Sequence, residues 1–129
     1  MRGEDLPAFE LGYPRTELRR ELVAAVLRGE KTATAGLAEE FEREGEPLPR
    51  PGDRYVLHDY DDVPVAIVEI THAHVVPASD IDLQFARDEG EGFESVEDWR
   101  RAHEAFFKRP IDDDTLIVAQ RFRVVGTGA

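Results

Sequence analysis

The strongest constraint on what this chain can fold into is the run at residues 65–76, VAIVEITHAHVV, set between Pro64 and Pro77. Its alternation places Val65, Ile67, Glu69, Thr71, Ala73 and Val75 on one face of a long strand. Ala66, Val68, Ile70, His72, His74 and Val76 fall on the other. A looser strand is expected at residues 53–60, separated from the long one only by a turn at residues 59–63. Parallel neighbours need a crossover, usually a helix, and there is no room for one here, so the two strands pair antiparallel. A third long strand closes the chain at residues 115–125. With helices between the strands, the pattern predicts an α+β fold whose mostly antiparallel sheet can curl into a small barrel, flanked by two to four helices.

The helices have readable ends. At residues 16–28, Leu18, Leu22 and Val26 form a core stripe, Thr16 is a natural N-cap and Gly29 a natural stop. Residues 36–44 have helical composition. Three prolines at 47, 49 and 51 make residues 46–52 a stiff extended loop, and Pro51-Gly52-Asp53 turns the chain into the next strand. Residues 78–89 read as a short acidic helix with Ile81, Leu83 and Phe85 inward, and Gly90-Glu91-Gly92 as a flexible break. Ser95 and Asp98 then open a helix in which Trp99, Ala102, His103, Phe106 and Phe107 recur at one face until Pro110. Residues 1–15 form an irregular lead-in and residues 16–129 a single domain, large enough to bury one core without disulfides or metal.

The formal net charge is −12. A chain so acidic repels polyanions and is a poor binder of duplex DNA, whereas a small nucleoside-like ligand or a short single-stranded RNA remains compatible with it. The absence of cysteine removes thiolate catalysis and Cys-based zinc sites. No apolar run is long enough to span a bilayer. Residues 1–10 are polar and acidic without the apolar stretch of a signal peptide, so a cytoplasmic location is the expectation.

Of the 16 basic residues only Lys31 and Lys108 are lysine. Lysine can lose its proton when buried, which arginine does not, so Lys31 three residues before Thr34 is a candidate for chemistry. A third candidate is Glu69, a carboxylate costly in an apolar strand unless partnered, whether by an arginine for structural reasons or by a functional group. An amine, a hydroxyl and a carboxylate can together run a hydrolysis. His72 and His74 stand two apart, but no further ligand completes a metal site and no cofactor is expected. Trp99 could stack on a base, though its helical spacing favours core packing, as it does for His103 at the core rim. The acidic residues 88–94 read as solvated.

Gly29-x-Lys31-x-x-Thr34, the strand Pro64-Val-Ala-Ile-Val-Glu69-Ile-Thr71, and Glu89-Gly-Glu-Gly92 leading into Trp99-Arg-x-x-His103-x-x-Phe106-Phe107 resemble, in that order, the ASCH domain family of the PUA-like β-barrel superfamily. The resemblance implies a cleft lined by the Gly-x-Lys-x-x-Thr segment and a ligand related to RNA or nucleotides. In one branch a Lys, a Thr and a Glu remove the acetyl group of N4-acetylcytidine, which by motif position implies Lys31, Thr34 and Glu69 as a catalytic set. Gly29, Thr32, Trp99 and His103 become candidate ligand contacts, with Arg54; because Gly36 stands where many members carry an arginine, an anion-binding role passes to Arg28, Arg54 or another arginine. The alternatives are a non-catalytic RNA- or nucleotide-binding module and a ribonuclease.

Overall fold

In the computed structural model, which describes residues 6–11 and 15–127, the first helix has the ends its sequence predicts. Helix α1 spans Glu17–Arg28; the Thr16 hydroxyl accepts from the Arg19 N–H, and Gly29 closes the helix at φ 82° with its N–H on the Ala25 and Val26 carbonyls. Leu22, Val23, Ala25 and Val26 are buried beneath it and Leu18 packs at the edge. Such side chains stabilise by ~1.5–3 kcal/mol each when fully buried. Arg19 is buried with them, 3% exposed. Its guanidinium donates to the Asp59 carbonyl at 3.3 Å and to Asp62 at 2.6 Å, fastening α1 to the turn between two strands.

Four strands follow: β1 (Ala33–Leu37), β2 (Arg54–His58), β3 (Pro64–Pro77) and β4 (Leu116–Thr127). Their order in the sheet is β1-β4-β3-β2, every one of these pairings is antiparallel, and the sheet curls into a half-barrel. Strand β1 is the element that periodicity misses. Ala-Thr-Ala-Gly-Leu has little intrinsic strand preference, and it is extended because β4 supplies a partner at each position from Ala33 opposite Arg121 to Leu37 opposite Ile117. Helix α2 (Ala38–Glu44) therefore starts two residues later than composition suggests. At the other side of the sheet, residues 7–9 run along β2 through a parallel bridge between Ala8 and Val56.

Strand β3 departs from strict alternation. Bulges lie between Ile67 and Val68 and between Ile70 and His72. At the first the extra residue is Val125 of β4 and the β3 alternation is kept; at the second it is Thr71 of β3, which changes which β3 residues face inward. Beyond the second, Ala73 packs with the same apolar cluster as Ala66, Val68 and Ile70, while His72 and His74 are exposed. The predicted two-face division holds up to the second bulge and fails after it.

The remaining helices lie on the β1 and β4 side. A 3-10 turn (Ala78–Asp80) leads to α3 (Leu83–Asp88), capped by the Asp82 carboxylate, and α4 (Val96–Phe107) begins at Ser95, whose hydroxyl accepts from the Asp98 N–H. Two apolar clusters result. One joins α1 to β2, β3 and Phe122; the other joins α3, α4 and β1 through Phe85, Trp99 and Ile117. The chain crosses from the first cluster to the second at residues 29–33.

Candidate functional site

At that crossing the backbone is tied on both sides. The Glu30 and Lys31 N–H groups both reach back to the Ala25 carbonyl, while Thr32 donates to Asp88 at 2.8 Å and accepts from the Phe122 N–H at 3.1 Å. Lys31 is thereby turned inward and is 2% exposed. Its Nζ donates to the carbonyls of Ala33 at 2.9 Å and Glu89 at 3.1 Å. Two carboxylates complete the surroundings, Glu89 Oε1 at 3.6 Å and Glu91 Oε2 at 3.8 Å. All four are acceptors, as a group with three N–H donors and no acceptor requires.

Glu89 and Glu91 belong to the stretch expected to be solvated. Glu89 is instead 1% exposed. Its Oε2 accepts from the Trp99 indole N–H and lies 3.3 Å from His103 Nε2. The linker that carries both acids is no flexible break either. Gly90 has φ 72°, and a Cβ there would sit 2.7 Å from the Lys31 Cα and 2.8 Å from the Glu30 carbonyl oxygen. Only glycine permits that approach, and the approach is what brings two carboxylates to Lys31.

The two acids are pushed in opposite directions. Burial raises the Glu89 carboxyl, but the hydrogen bond and charge of His103, the charge of Lys31 and the indole N–H outweigh it and hold Glu89 below the usual carboxylate range. Glu91 stays at the surface with a quarter of its side chain open, as a solvated acid would. Partial burial raises its carboxyl, the Lys31 charge offsets part of this, and repulsion from Glu89 leaves it above its ordinary value. Burial works against the charged form of His103, yet its hydrogen bond to and attraction by Glu89 win, and the imidazole is raised.

Lys31, Glu89, Glu91 and His103 line a cavity of about 230 Å³ between the two apolar clusters, walled otherwise by Glu10, Leu11, Leu18, Leu22, Thr34, Ala35, Ala102 and Phe106. It adjoins a larger cleft of about 620 Å³ that shares Glu10, Leu11, Thr34, Ala35 and Phe106 and extends to Phe41, Arg54 and Tyr55. One ligating atom from each of Glu89, Glu91 and His103 falls within 4.8 Å of the others, the spacing of a cation site. The nitrogen of Lys31 stands against both carboxylates of that group.

The expected trio is therefore divided. Lys31 and Thr34 share the cavity wall, but Glu69 is not among its lining residues. Glu69 sits on β3 opposite Arg54 of β2 and Arg123 of β4, and it accepts from each at 2.9 Å. Those two hydrogen bonds hold its carboxyl below the ordinary value. Arg54 itself borders the larger cleft, whereas Gly29 and Thr32 line a separate surface cleft with Arg28 and Arg123. Trp99 is fully buried, so its indole meets Glu89 rather than open space. His103 reaches the cavity. The residues that sequence reasoning missed, Glu89 and Glu91, carried one usable signal: acids alternating with glycines, Glu-Gly-Glu-Gly, directly before a capped helix.

No helix among the described residues is long and apolar enough to cross a membrane. No curated protein matches the chain. Among solved structures it is similar to an ASCH domain from Lactobacillus crispatus JV V101, 32% identical over 81% of this chain and 70% of that one, with a TM-score of 0.72. It is also similar to the protein EF3133 from Enterococcus faecalis V583, 28% identical over 84% and 69% of the two chains, with a TM-score of 0.73. The hypothetical protein PH0355, 17% identical over 84% and 94% with a TM-score of 0.60, shares the fold. The ASCH domain profile matches residues 10–126, and the chain belongs to that family.

Proposed function

We propose that this protein hydrolyses an amide of a small nucleoside-like molecule, such as N4-acetylcytidine, in the cavity around Lys31. The observation that carries the reading is a pair of neighbouring carboxylates with opposed shifts, Glu89 lowered and Glu91 raised, beside a buried lysine in a small concave site. Environments that separate two acids in this way assign one to hold charge and the other to move a proton. Glu91 takes a proton from a water molecule as the water oxygen attacks the acyl carbon. Negative charge builds on the carbonyl oxygen, and the Lys31 cation and the Thr34 hydroxyl stabilise it. Glu91 then returns the proton to the leaving nitrogen, which departs as the amine while the acyl group leaves as the acid.

This reading keeps Lys31 and Thr34 from the expected set and gives the proton-transfer role to Glu91 in place of Glu69. The cavity suits a single base or acyl group rather than an extended polymer. The test is incubation with N4-acetylcytidine followed by chromatography for cytidine. The protein should form product, Lys31→Ala and Glu91→Gln should lose ~10²–10⁴-fold in rate, and Glu69→Gln should retain activity. Loss in Glu69→Gln with activity kept in Glu91→Gln returns the role to Glu69, and no product from the unaltered protein overturns the hydrolase reading.

A second reading, a non-catalytic binder of short single-stranded RNA or a ribonuclease, draws support from Arg54 and Arg123. Their side chains are 52% and 64% exposed and flank the one carboxylate of Glu69. It predicts RNA binding that weakens steeply with salt.

A further inference from the structure

The cleft that adjoins the Lys31 cavity contains one buried polar side chain that the fold does not use. We propose that Gln120 determines ligand specificity: its carboxamide hydrogen-bonds the edge of an uncharged heterocyclic ring seated in that cleft, beside Thr34. The ligand class rests on the nucleoside-like reading above, but the proposal is decided by binding and stability and does not need turnover.

Gln120 is 8% exposed. It stands on β4 with Thr34 of β1 opposite it on one side and Ala73 of β3 on the other. A primary amide offers two N–H donors and an acceptor oxygen. Among the described residues, no side chain or backbone group hydrogen-bonds the Gln120 amide. The chain's other glutamine, Gln84, differs: its amide donates to Asp88 at 2.9 Å on the exposed side of α3. Nothing in the sheet asks for an amide at position 120. Val118 and Phe122, which share its face of β4, are apolar and buried. A buried amide without a protein partner works against folding, so its presence calls for a partner from outside the chain.

The surroundings say what that partner is. Gln120 lines the cleft of about 620 Å³, and so do Thr34 and the rings of Phe41, Tyr55 and Phe106. That volume suits one small molecule, and the rings offer faces to a flat heterocycle. Gly36 helps to make the wall aromatic, because a Cβ there would meet the Phe41 ring at 3.0 Å. Thr34 also lines the Lys31 cavity. The group that reads the ring and the hydroxyl assigned to the scissile bond are therefore cross-strand neighbours. Charge selects against a phosphate. Glu10, Glu40, Glu46 and Asp53 line the cleft, and Arg54, the cation among the described lining residues, already bonds Glu69. A neutral carboxamide can turn to present either its donors or its acceptor to a neutral ring edge.

The sequence makes the test direct. It has two glutamines and no asparagine, so the proton–nitrogen NMR spectrum holds two side-chain amide pairs, with Gln84 as internal reference. Adding cytidine or N4-acetylcytidine to the unaltered protein should move the Gln120 pair and leave the Gln84 pair in place. Gln120→Met keeps the length of the side chain and removes the amide. It should bind cytidine roughly 5- to 150-fold more weakly, the worth of a good side-chain-to-base pairing, and should unfold at the same or a higher urea concentration because no protein partner is lost. Cytidine 5′-monophosphate should bind the unaltered protein more weakly than cytidine. The proposal is overturned by a Gln120 pair that does not move at high nucleoside concentration, or by unchanged nucleoside affinity in Gln120→Met. A loss of stability in that variant overturns it too, because the amide would then serve the fold. Tighter binding of the monophosphate overturns the uncharged ligand. Binding through Gln120 without turnover removes the hydrolytic reading alone, and turnover with kcat/KM unchanged in Gln120→Met removes this proposal alone.

Discussion

Replacing Gly90 by alanine tests whether the close approach of the 90–92 linker builds the site. Gly90 and Gly92 both have positive φ, 72° and 82°, so alanine is strained at either position. That strain is worth ~1–2 kcal/mol. They differ in what a Cβ would meet. At Gly92 nothing lies within 4 Å, whereas at Gly90 the Lys31 Cα stands at 2.7 Å and ordinary contact begins at 3.4 Å. The obstacle is backbone, and that backbone is tied to Ala25, Asp88 and Phe122 through its neighbours, so it cannot yield freely. Overpacking of this kind costs ~1–3 kcal/mol. Gly92→Ala should therefore lose about 1–2 kcal/mol from strain alone, and Gly90→Ala about 2–5 kcal/mol from strain and contact together.

Urea unfolding of both variants gives the two losses, and thermal unfolding should follow at roughly 3–5 °C per kcal/mol for a domain of this size. The variants share the backbone penalty, so their difference isolates the contact with Lys31. Activity adds an independent reading. Moving the Lys31 backbone by several tenths of an ångström strains hydrogen bonds of 2.9 and 3.1 Å at Nζ, so turnover should fall more in Gly90→Ala than in Gly92→Ala. Equal losses of stability in the two variants would refute the reasoning, because the contact would then contribute nothing.

The Glu89–His103 pair makes stability depend on pH. Glu89, lowered in the folded chain, contributes above ~4.3 and loses that contribution as pH falls through its folded pKa; His103, raised, contributes fully below ~6.5 and loses it as pH rises through its own. Their joint contribution is greatest between about pH 4.3 and 6.5, so urea unfolding above that window should show a decline that shrinks in His103→Gln. Lys31→Arg should keep the fold at a cost of about 1–3 kcal/mol and abolish turnover, since a planar guanidinium cannot reproduce the contacts of a compact amine held by the Ala33 and Glu89 carbonyls; full activity in that variant would contradict the assigned geometry.

What the sequence made legible was governed by local rules. Thr16 and Gly29 bound α1 because capping depends on a few adjacent residues, and Ser95 opens α4 for the same reason. The antiparallel order of β2 and β3 followed from a connection too short for anything else. Strand β1 was hidden because its extended state is imposed by β4, whose paired residues lie 80 to 88 positions further along, and not by Ala-Thr-Ala-Gly-Leu itself. The misplacement of His72 and His74 has a similar cause: a bulge inserts one residue into the alternation, and a period-two reading has no means of registering it.

The two carboxylates argue the harder lesson, that the cost of burying a charge is visible in sequence only when its partner is local. Glu69 drew attention because it interrupts an apolar strand, yet cross-strand neighbours at the same level, Arg54 and Arg123, balance it at the surface. Glu89 drew none because it lies in a run of acids, where solvation is the economical assumption. Its donors come from Trp99 and His103 on the next helix and from a lysine 58 residues earlier. An isolated buried carboxylate would neutralise itself. This one is held below the usual range because a cation faces each of its oxygens, Lys31 at Oε1 and His103 at Oε2. The scarcity of lysine was the trace of that arrangement in the sequence. A compact cation with three donors fits between two carbonyls and two carboxylates, and a chain that otherwise uses arginine keeps lysine at the position where that shape is required.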